Sequence, residues 1–166
     1  MEYTNSYTYF GIDSRGVIDH RGLVATAKGR FDPQAITSLL RLQPFRSHAY
    51  GEQRKNGSIF LFSSWSAVRS SAGRLDAEAQ CLEIVRILED KIAMLRKIKK
   101  QYEVSFSLVI VPSIHGEEPP LLRFPEEVIR FCYETGTEIE VDMYIYPVDS
   151  PVAMQGRGDT DGMDGI

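Results

Sequence analysis

Six residues of the chain combine the charge, hydrogen-bonding capacity and aromatic surface that a binding site requires. They are Arg46, His48, Trp65, Glu140, Asp142 and Tyr144. The last three are spaced two residues apart in an alternating segment, so a β-strand places them all on one face. Arginine and aromatic side chains dominate binding hot spots. The six residues could therefore line a groove for a ligand or a protein partner.

A purely structural role for the same residues is the alternative interpretation. Arg46 would then pair with Asp142 and fasten its loop to the sheet, and Trp65 would pack beneath this ion pair. The Asp142→Ala variant distinguishes the two roles. A loss of folding without a loss of binding would leave only the structural role.

Catalysis by these carboxylates is a further hypothesis. In a small hydrolase-like or transferase-like enzyme, Asp142 or Glu140 would act as the general base, and Arg46 would bind an anion. The sequence contains no nucleophile elbow, phosphate-binding loop, dinucleotide-binding glycine motif or zinc-protease motif. We therefore name no catalytic residues and favour a non-enzymatic role.

The histidines and cysteines do not show the spacing of a metal site. His20, His48 and His115 all lie in predicted loops, without a second ligand type at helical or hairpin spacing. Cys81 and Cys132 stand 51 positions apart, in two different predicted helices. We expect no metal and no cofactor, and we expect both cysteines to be buried, reduced thiols.

Length and charge limit the classes of function. The chain has 166 residues, of which 43% are hydrophobic and 25% charged, as in a single soluble domain. Its 19 basic and 23 acidic residues give a net charge of -4, which does not favour nucleic acid as a partner. The longest apolar run is far shorter than a membrane span, and no signal-peptide pattern is present. We expect a cytoplasmic protein with a protein partner and no membrane association.

Strand-like and helix-like patterns alternate in the order β, β, α, β, α, β, α, β. The predicted strands cover residues 6–12, 23–30, 58–65, 102–112 and 138–146. The predicted helices begin near Asp32, Asp76 and Phe124, and they end near residues 42, 100 and 136. The first two strands could form a hairpin, and the second helix would be one element of about 24 residues.

This order predicts an α+β fold in which a mostly antiparallel sheet has helices packed on one face. The last strand alternates so regularly that it should have one buried and one polar face. Its apolar positions are Ile139, Val141, Met143 and Ile145. Residues 1–148 would form a single α+β domain, and residues 149–166 an acidic, glycine-rich, disordered tail.

A cluster of cations lies near the end of the second predicted helix. Its members are Lys91, Arg96, Lys97, Lys99 and Lys100. Cations at this end complement the helix dipole, so a solvated helix end is one interpretation. A patch for RNA or for an acidic partner is the other.

Three segments together resemble the bacterial family called domain of unknown function 4279. They are residues 42–52, with Leu42, Pro44, Arg46, His48 and Gly51, then Ser64-Trp65, then residues 139–144. The resemblance covers about residues 6–146, whereas a long insert before Leu23 and the acidic tail depart from it. It implies a small cytosolic bacterial protein and no particular activity. The sequence thus predicts a non-enzymatic binding or protein-interaction module, such as an immunity or accessory protein.

Overall fold

A six-stranded sheet lies at the centre of the computed structural model, which describes residues 4–14, 17–19, 22–24, 30–73, 75–116 and 119–146. The strands of the protein are β1 (Asn5–Asp13), β2 (Val17–Asp19), β3 (Gly22–Val24), β4 (Arg46–His48), β5 (Ser64–Ser66), β6 (Ser105–His115), β7 (Thr137–Val141) and β8 (Tyr144–Tyr146). β2 and β3 form a separate two-stranded sheet, and the other six strands form the main sheet.

The main sheet is mostly antiparallel, as predicted. Its strand order is β4-β5-β1-β6-β7, and β8 pairs with β6 beyond β7. Neighbours from β4 through β6 are antiparallel, whereas β7 and β8 run parallel to β6. β1 and β6 form the longest ladder, in which residues 5–13 pair with residues 105–113.

Among the described residues, four helices pack on one face of this sheet, which confirms the predicted α+β architecture. They are α1 (Pro33–Leu40), α2 (Ala77–Leu88), α3 (Ile92–Tyr102) and α4 (Glu126–Thr135). Each contributes buried side chains to a single core, together with Phe10, Trp65 and Phe106 from the strands. No helix in the described part of the chain is long and apolar enough to cross a membrane.

Helix boundaries follow the predicted capping signals. The Asp32 side chain accepts a hydrogen bond from the Gln34 N–H at 2.9 Å, and Pro33 is the first residue of α1. Gly136 ends α4 with a φ of +64°, a conformation that favours glycine. Part of the cationic cluster also has a structural role, since Arg96 Nε donates to the Glu134 carbonyl at 2.6 Å.

The predicted hairpin of the first two strands is wrong. β1 pairs with β5 and β6, whereas β3 pairs with β2. The long-range ladder between β1 and β6 pairs and buries more residues than a local hairpin would. No local sequence pattern predicts this pairing. Residues 25–29 of the predicted second strand lie outside the described residues, as does the predicted tail, residues 149–166.

Most of the predicted strand over residues 58–65 is also wrong, because only Ser64–Ser66 joins the sheet. The segment between Gly51 and Phe60 folds back on itself instead. The Gly51 N–H donates to the Phe60 carbonyl at 2.8 Å, and Gly57 occupies the turn with a φ of +83°. The Asn56-Gly57 pair thus forms the turn of a hydrogen-bonded loop and does not precede a strand of the main sheet.

The predicted long helix is two helices. A 3-10 turn, Glu89–Lys91, separates α2 from α3. Leu88 and Leu95, on either side of this turn, are both fully buried, so the apolar period continues across the interruption. The two helices have different neighbours, since α2 contacts β1 whereas α3 contacts α1.

The predicted last strand is two short strands whose apolar side chains are only partly covered. Ile139 and Val141 pair with Leu108 and Ile110, so they lie on the helix side as the alternation predicts. They are nevertheless 37% and 41% exposed, and Ile145 is 69% exposed. The prediction that one face of this strand is buried is therefore wrong. β7 and β8 form the edge of the sheet, where the helices cover the apolar side chains only in part.

Candidate functional site

The main sheet has two chemically different faces, and alternation along β1 assigns its residues to them. Phe10 and Ile12 are fully buried against the helices, whereas Tyr7, Tyr9 and Asp13 lie on the other side and are half-buried. We call this second side the polar face, and none of the four described helices packs on it. By register it includes Tyr7, Tyr9, Gly11, Asp13, Arg46, His48, Ser64, Ser66, Ser105, Ser107, Val109, Val111, Glu138 and Glu140.

One row of the polar face runs across five strands, from a cation to a carboxylate. In strand order it consists of Arg46, Ser66, Gly11, Ser107 and Glu138. Four strand spacings separate its ends by roughly 19 Å. A Cβ added to Gly11 would lie 3.5 Å from Asp13 Oδ2 and 3.7 Å from Tyr9 Cε2. The middle of the row is therefore small and polar, with the Asp13 carboxylate and the Tyr9 ring beside it.

Arg46 does not pair with Asp142, so the predicted structural ion pair is wrong. Arg46 lies on β4, and Asp142 follows β7 at the opposite edge of the sheet. Arg46 Nη2 instead donates to Tyr9 Oη at 3.3 Å, and the guanidinium carbon lies 5.5 Å from the Tyr9 ring centroid. The sequence places both residues on one face, but it does not reveal the strand order that separates them.

Trp65 lies on the helix side of the sheet and is fully buried. Its Nε1 donates to Thr37 Oγ1 on α1 at 3.0 Å, and its cross-strand neighbour is Ile12. A buried indole with a satisfied N–H is a core residue. Trp65 therefore cannot contact a ligand on the polar face. Its strand pairs with that of Arg46, but the two side chains lie on opposite faces of the sheet.

His48 belongs to the polar face, but a neighbouring loop covers it. Its side chain is 9% exposed, and its ring stacks on Phe60 with 3.7 Å between centroids and meets Phe62 at 4.9 Å. Burial lowers the pKa of His48, and the charge of Arg46 lowers it further against the opposing effect of Glu52. Its Nε2 has no hydrogen-bond partner among the described residues. A ligand would reach the His48 ring only after the loop that contains Phe60 and Phe62 moved away.

Asp13, which directly follows the predicted first strand, is the last residue of β1, the central strand of the polar face. Burial raises the pKa of its carboxyl group, and the negative charge of Glu140 raises it further. A hydrogen bond from Ser64 and the charge of Arg46 act in the opposite direction. The charges of Arg46 and Glu140, on opposite sides of Asp13, thus both affect its pKa.

The three predicted residues of the last strand do lie together. Glu140 Oε1 accepts a hydrogen bond from Ser107 Oγ at 2.5 Å, which joins β7 to β6 across the polar face. Tyr144 Oη donates to Asp142 Oδ2 at 3.1 Å, and this hydrogen bond raises the pKa of Tyr144. Both Asp142 and Tyr144 are exposed. We call the sheet edge formed by β7 and β8, with Glu140 and Asp142, the acidic edge. Its side chains form hydrogen bonds within the protein, and its carboxylates are also exposed to solvent.

The residues that sequence reasoning missed are Tyr9, Asp13 and Ser107. A usable signal was present, since Tyr7, Tyr9, Gly11 and Asp13 recur at every second position of one strand. Within the described ranges, no group of three or more His, Cys, Asp or Glu side chains is placed to hold a metal ion. The arrangement suits hydrogen bonding, ion pairing and aromatic stacking.

Comparisons with known proteins identify a family and nothing more specific. No curated protein and no solved structure matches the chain. A family model, described as Domain of unknown function (DUF4279), matches residues 23–146, which is more than half of the chain. The matched range contains β4 to β8 and all four helices, but it leaves out β1. The chain therefore belongs to the DUF4279 family.

Proposed function

We propose that this protein is a non-enzymatic binding module and that its polar face holds a protein partner. The observation that supports this best is the half-buried Asp13, which lies between Arg46 and Glu140 on a sheet face that the helices leave free. Folding leaves a carboxylate there at a cost, because burial raises its pKa. A group retained at such a cost is a candidate for recognition.

Aromatic and arginine side chains on and beside the polar face provide contact area. The Arg69 guanidinium carbon lies 3.5 Å from the centroid of Tyr7, and the rings of Tyr7 and Tyr9 stack with 6.2 Å between centroids. Arg46 holds the hydroxyl of Tyr9. Residues of these types are those most enriched in interface hot spots.

The proposed surface has opposite charges at its two edges. On the polar face, the cation Arg46 lies on β4 at one edge of the sheet. The carboxylates of Glu138 and Glu140 lie on β7 at the other edge, and Asp142 follows them in the chain. A partner with acidic groups near Arg46 and basic groups near Glu140 would be both steered and oriented.

We further infer a cytoplasmic, bacterial protein in an immunity or accessory role. Cys81 and Cys132 are free and buried, and burial raises the pKa of each thiol to about 11. Such thiols persist in a reducing compartment. The regional charge asymmetry suits a dedicated protein partner better than a polyanion such as nucleic acid, which the acidic edge would repel.

Affinity capture with matched variants tests the proposed function. The wild-type protein, a double variant with Tyr9→Ala and Arg46→Ala, and the helix-surface control Arg86→Ala are immobilised and exposed to a lysate of the source organism. A protein retained by wild type and control, but lost by the double variant, is expected. Retention of the same proteins by all three would contradict a role for the polar face, provided that circular dichroism shows all three folded.

Hydrolase or transferase activity is the second candidate, and the raised pKa of Asp13 is the observation that favours it. A carboxyl group with a raised pKa near a cation can act as a general acid or base. Asp13 is better placed than Asp142 for this, because Asp142 lies at the opposite edge from Arg46. Hydrolysis of p-nitrophenyl phosphate or acetate that Asp13→Asn abolishes and Arg86→Ala retains would establish it. No turnover above the buffer rate by the wild-type protein leaves binding as the function.

A further inference from the structure

The segment formed by β7 and β8 is an edge of the main sheet. One side of it pairs with β6, and no strand in the described part of the chain pairs with its other side. The Asp142 N–H donates to the Ile110 carbonyl of β6 at 2.9 Å. Because N–H groups alternate sides along an extended chain, those of Ile139 and Val141 point outward. This edge can therefore template an added strand.

The side chains of the edge alternate between two chemistries. On the helix side, Ile139 and Val141 are 37% and 41% exposed, and Ile145 is 69% exposed. On the polar face, Glu138 and Glu140 are exposed. An added strand would cover the apolar row on one side and would lie beside carboxylates on the other.

Charge decides among the possible occupants. A second copy that pairs through its own β7 would bring the carboxylates of the two copies opposite each other, which is destabilising. The last residues of this chain are acidic as well, with Asp159, Asp161 and Asp164 against Arg157. A strand with lysine or arginine on the polar face and apolar residues on the helix side satisfies both rows.

We propose that the β7–β8 edge binds an extended segment of a partner protein, as an added strand in which basic and apolar residues alternate. Main-chain hydrogen bonds give such a complex its affinity, and the alternate side chains give it specificity. This inference goes beyond the proposed function, because the outer edge and the helix-side row are surfaces that the polar-face variants leave intact.

A model peptide tests the inference without knowledge of the natural partner. The probe is a fluorescein-labelled nine-residue peptide in which lysine and valine alternate, and binding is followed by fluorescence anisotropy. One control peptide has glutamate in place of lysine, and a second has serine in place of valine. We expect the full-length protein to bind the first peptide at least tenfold more tightly than either control. Equal binding of the serine control would show charge attraction alone and overturn the strand model.

Backbone variants of one residue separate strand addition from side-chain attraction. Val141→Pro removes an outward N–H while leaving the pairing with β6 intact, as proline in an edge strand can. Val141→Thr is the matched control, since it keeps the N–H and the β-branched shape. We expect Val141→Pro to weaken peptide binding about tenfold, and Val141→Thr by less than about threefold. Equal affinities of the two folded variants would overturn the proposal.

Sedimentation of the protein alone tests the competing occupant. A monomer across the concentration range of the peptide experiment is expected. A dimer that Val141→Pro dissociates would instead assign the edge to a second copy and overturn the proposal. The polar-face double variant, Tyr9→Ala with Arg46→Ala, should bind the peptide as the wild type does, so failure of this inference and failure of the proposed function are distinguishable.

Discussion

The two faces of β1 differ in what their side chains accomplish. On the helix side, the fully buried Phe10 ring lies 5.3 Å from Phe106 and 6.1 Å from Phe131, so it contributes to stability through burial. On the polar face, Tyr9 and Asp13 are half-buried and contact charged or polar neighbours. Alternate residues of one strand thus divide the core from the proposed binding surface. Variants on the two faces should therefore differ in how much stability they lose.

Truncation of a core side chain should have the largest effect. Trp65→Ala removes a fully buried indole and leaves Thr37 Oγ1 without its donor, so the free energy of unfolding should fall by about 3–5 kcal/mol. Tyr9→Ala on the polar face should cost about 1 kcal/mol. Urea denaturation of both variants measures the contrast. Similar losses would mean that the polar face also carries the fold.

The buried amide of Gln80 should have the next largest effect. Its Nε2 donates to the Ser6 and Gly73 carbonyls at 2.9 and 2.8 Å, and its Oε1 accepts from Thr8 Oγ1 at 3.2 Å. Gln80→Ala leaves these buried groups unsatisfied and should cost about 2 kcal/mol. The exposed Gln34→Ala serves as the control in the same denaturation series. A loss equal to that of the control would exclude a role for this network in joining α2 to β1.

Replacement of Asp13 should stabilise the protein at neutral pH. Because the pKa of Asp13 is raised in the folded state, the folded state binds more protons just above the ordinary aspartate pKa of about 3.9, and stability falls as pH rises through that window. Asp13→Asn removes this loss, so its gain in unfolding free energy should be present at pH 7, shrink as the pH falls toward that ordinary value, and be absent below it. Denaturation at several pH values measures it. A destabilised variant at pH 7 would contradict the assigned cause.

Replacement of Asp142 should have the smallest effect on stability. Its carboxylate is exposed and does not pair with Arg46, so Asp142→Ala should leave the free energy of unfolding within about 0.5 kcal/mol of wild type. The local effect is on Tyr144, whose pKa should fall when the hydrogen bond from its hydroxyl is lost. An NMR titration of Tyr144 in both proteins measures this change. An unchanged pKa would mean that the hydrogen bond is absent in solution.

Local signals predicted the elements that depend on local chemistry. Asp32 and Pro33 begin α1, and Gly136 ends α4, because capping involves residues within one turn. Alternation before residue 112 is also a local pattern, and that segment forms the strand β6. Residues 58–65 were mispredicted because Phe60 and Phe62 have strand-like composition, but they cover His48 instead.

The candidate site could be predicted only in part, since it depends on strand order. Alternation along the chain placed Glu140, Asp142 and Tyr144 together, and the structure agrees. It could not show that four strand spacings separate Arg46 from this group, or that Trp65 lies on the opposite face. Those facts follow from pairings between segments that are distant in sequence, which single-residue patterns do not encode.

The β1–β6 ladder has a consequence for the timing of folding. β1 ends at Asp13. Its main partner, β6, pairs with all nine residues of β1 but begins only at Ser105. During synthesis, β1 therefore emerges from the ribosome long before its main partner, and closing so large a loop slows formation of the sheet centre. Until then Phe10 and Ile12 have no completed core to enter. During that interval these apolar side chains are exposed, which favours aggregation of an incomplete chain.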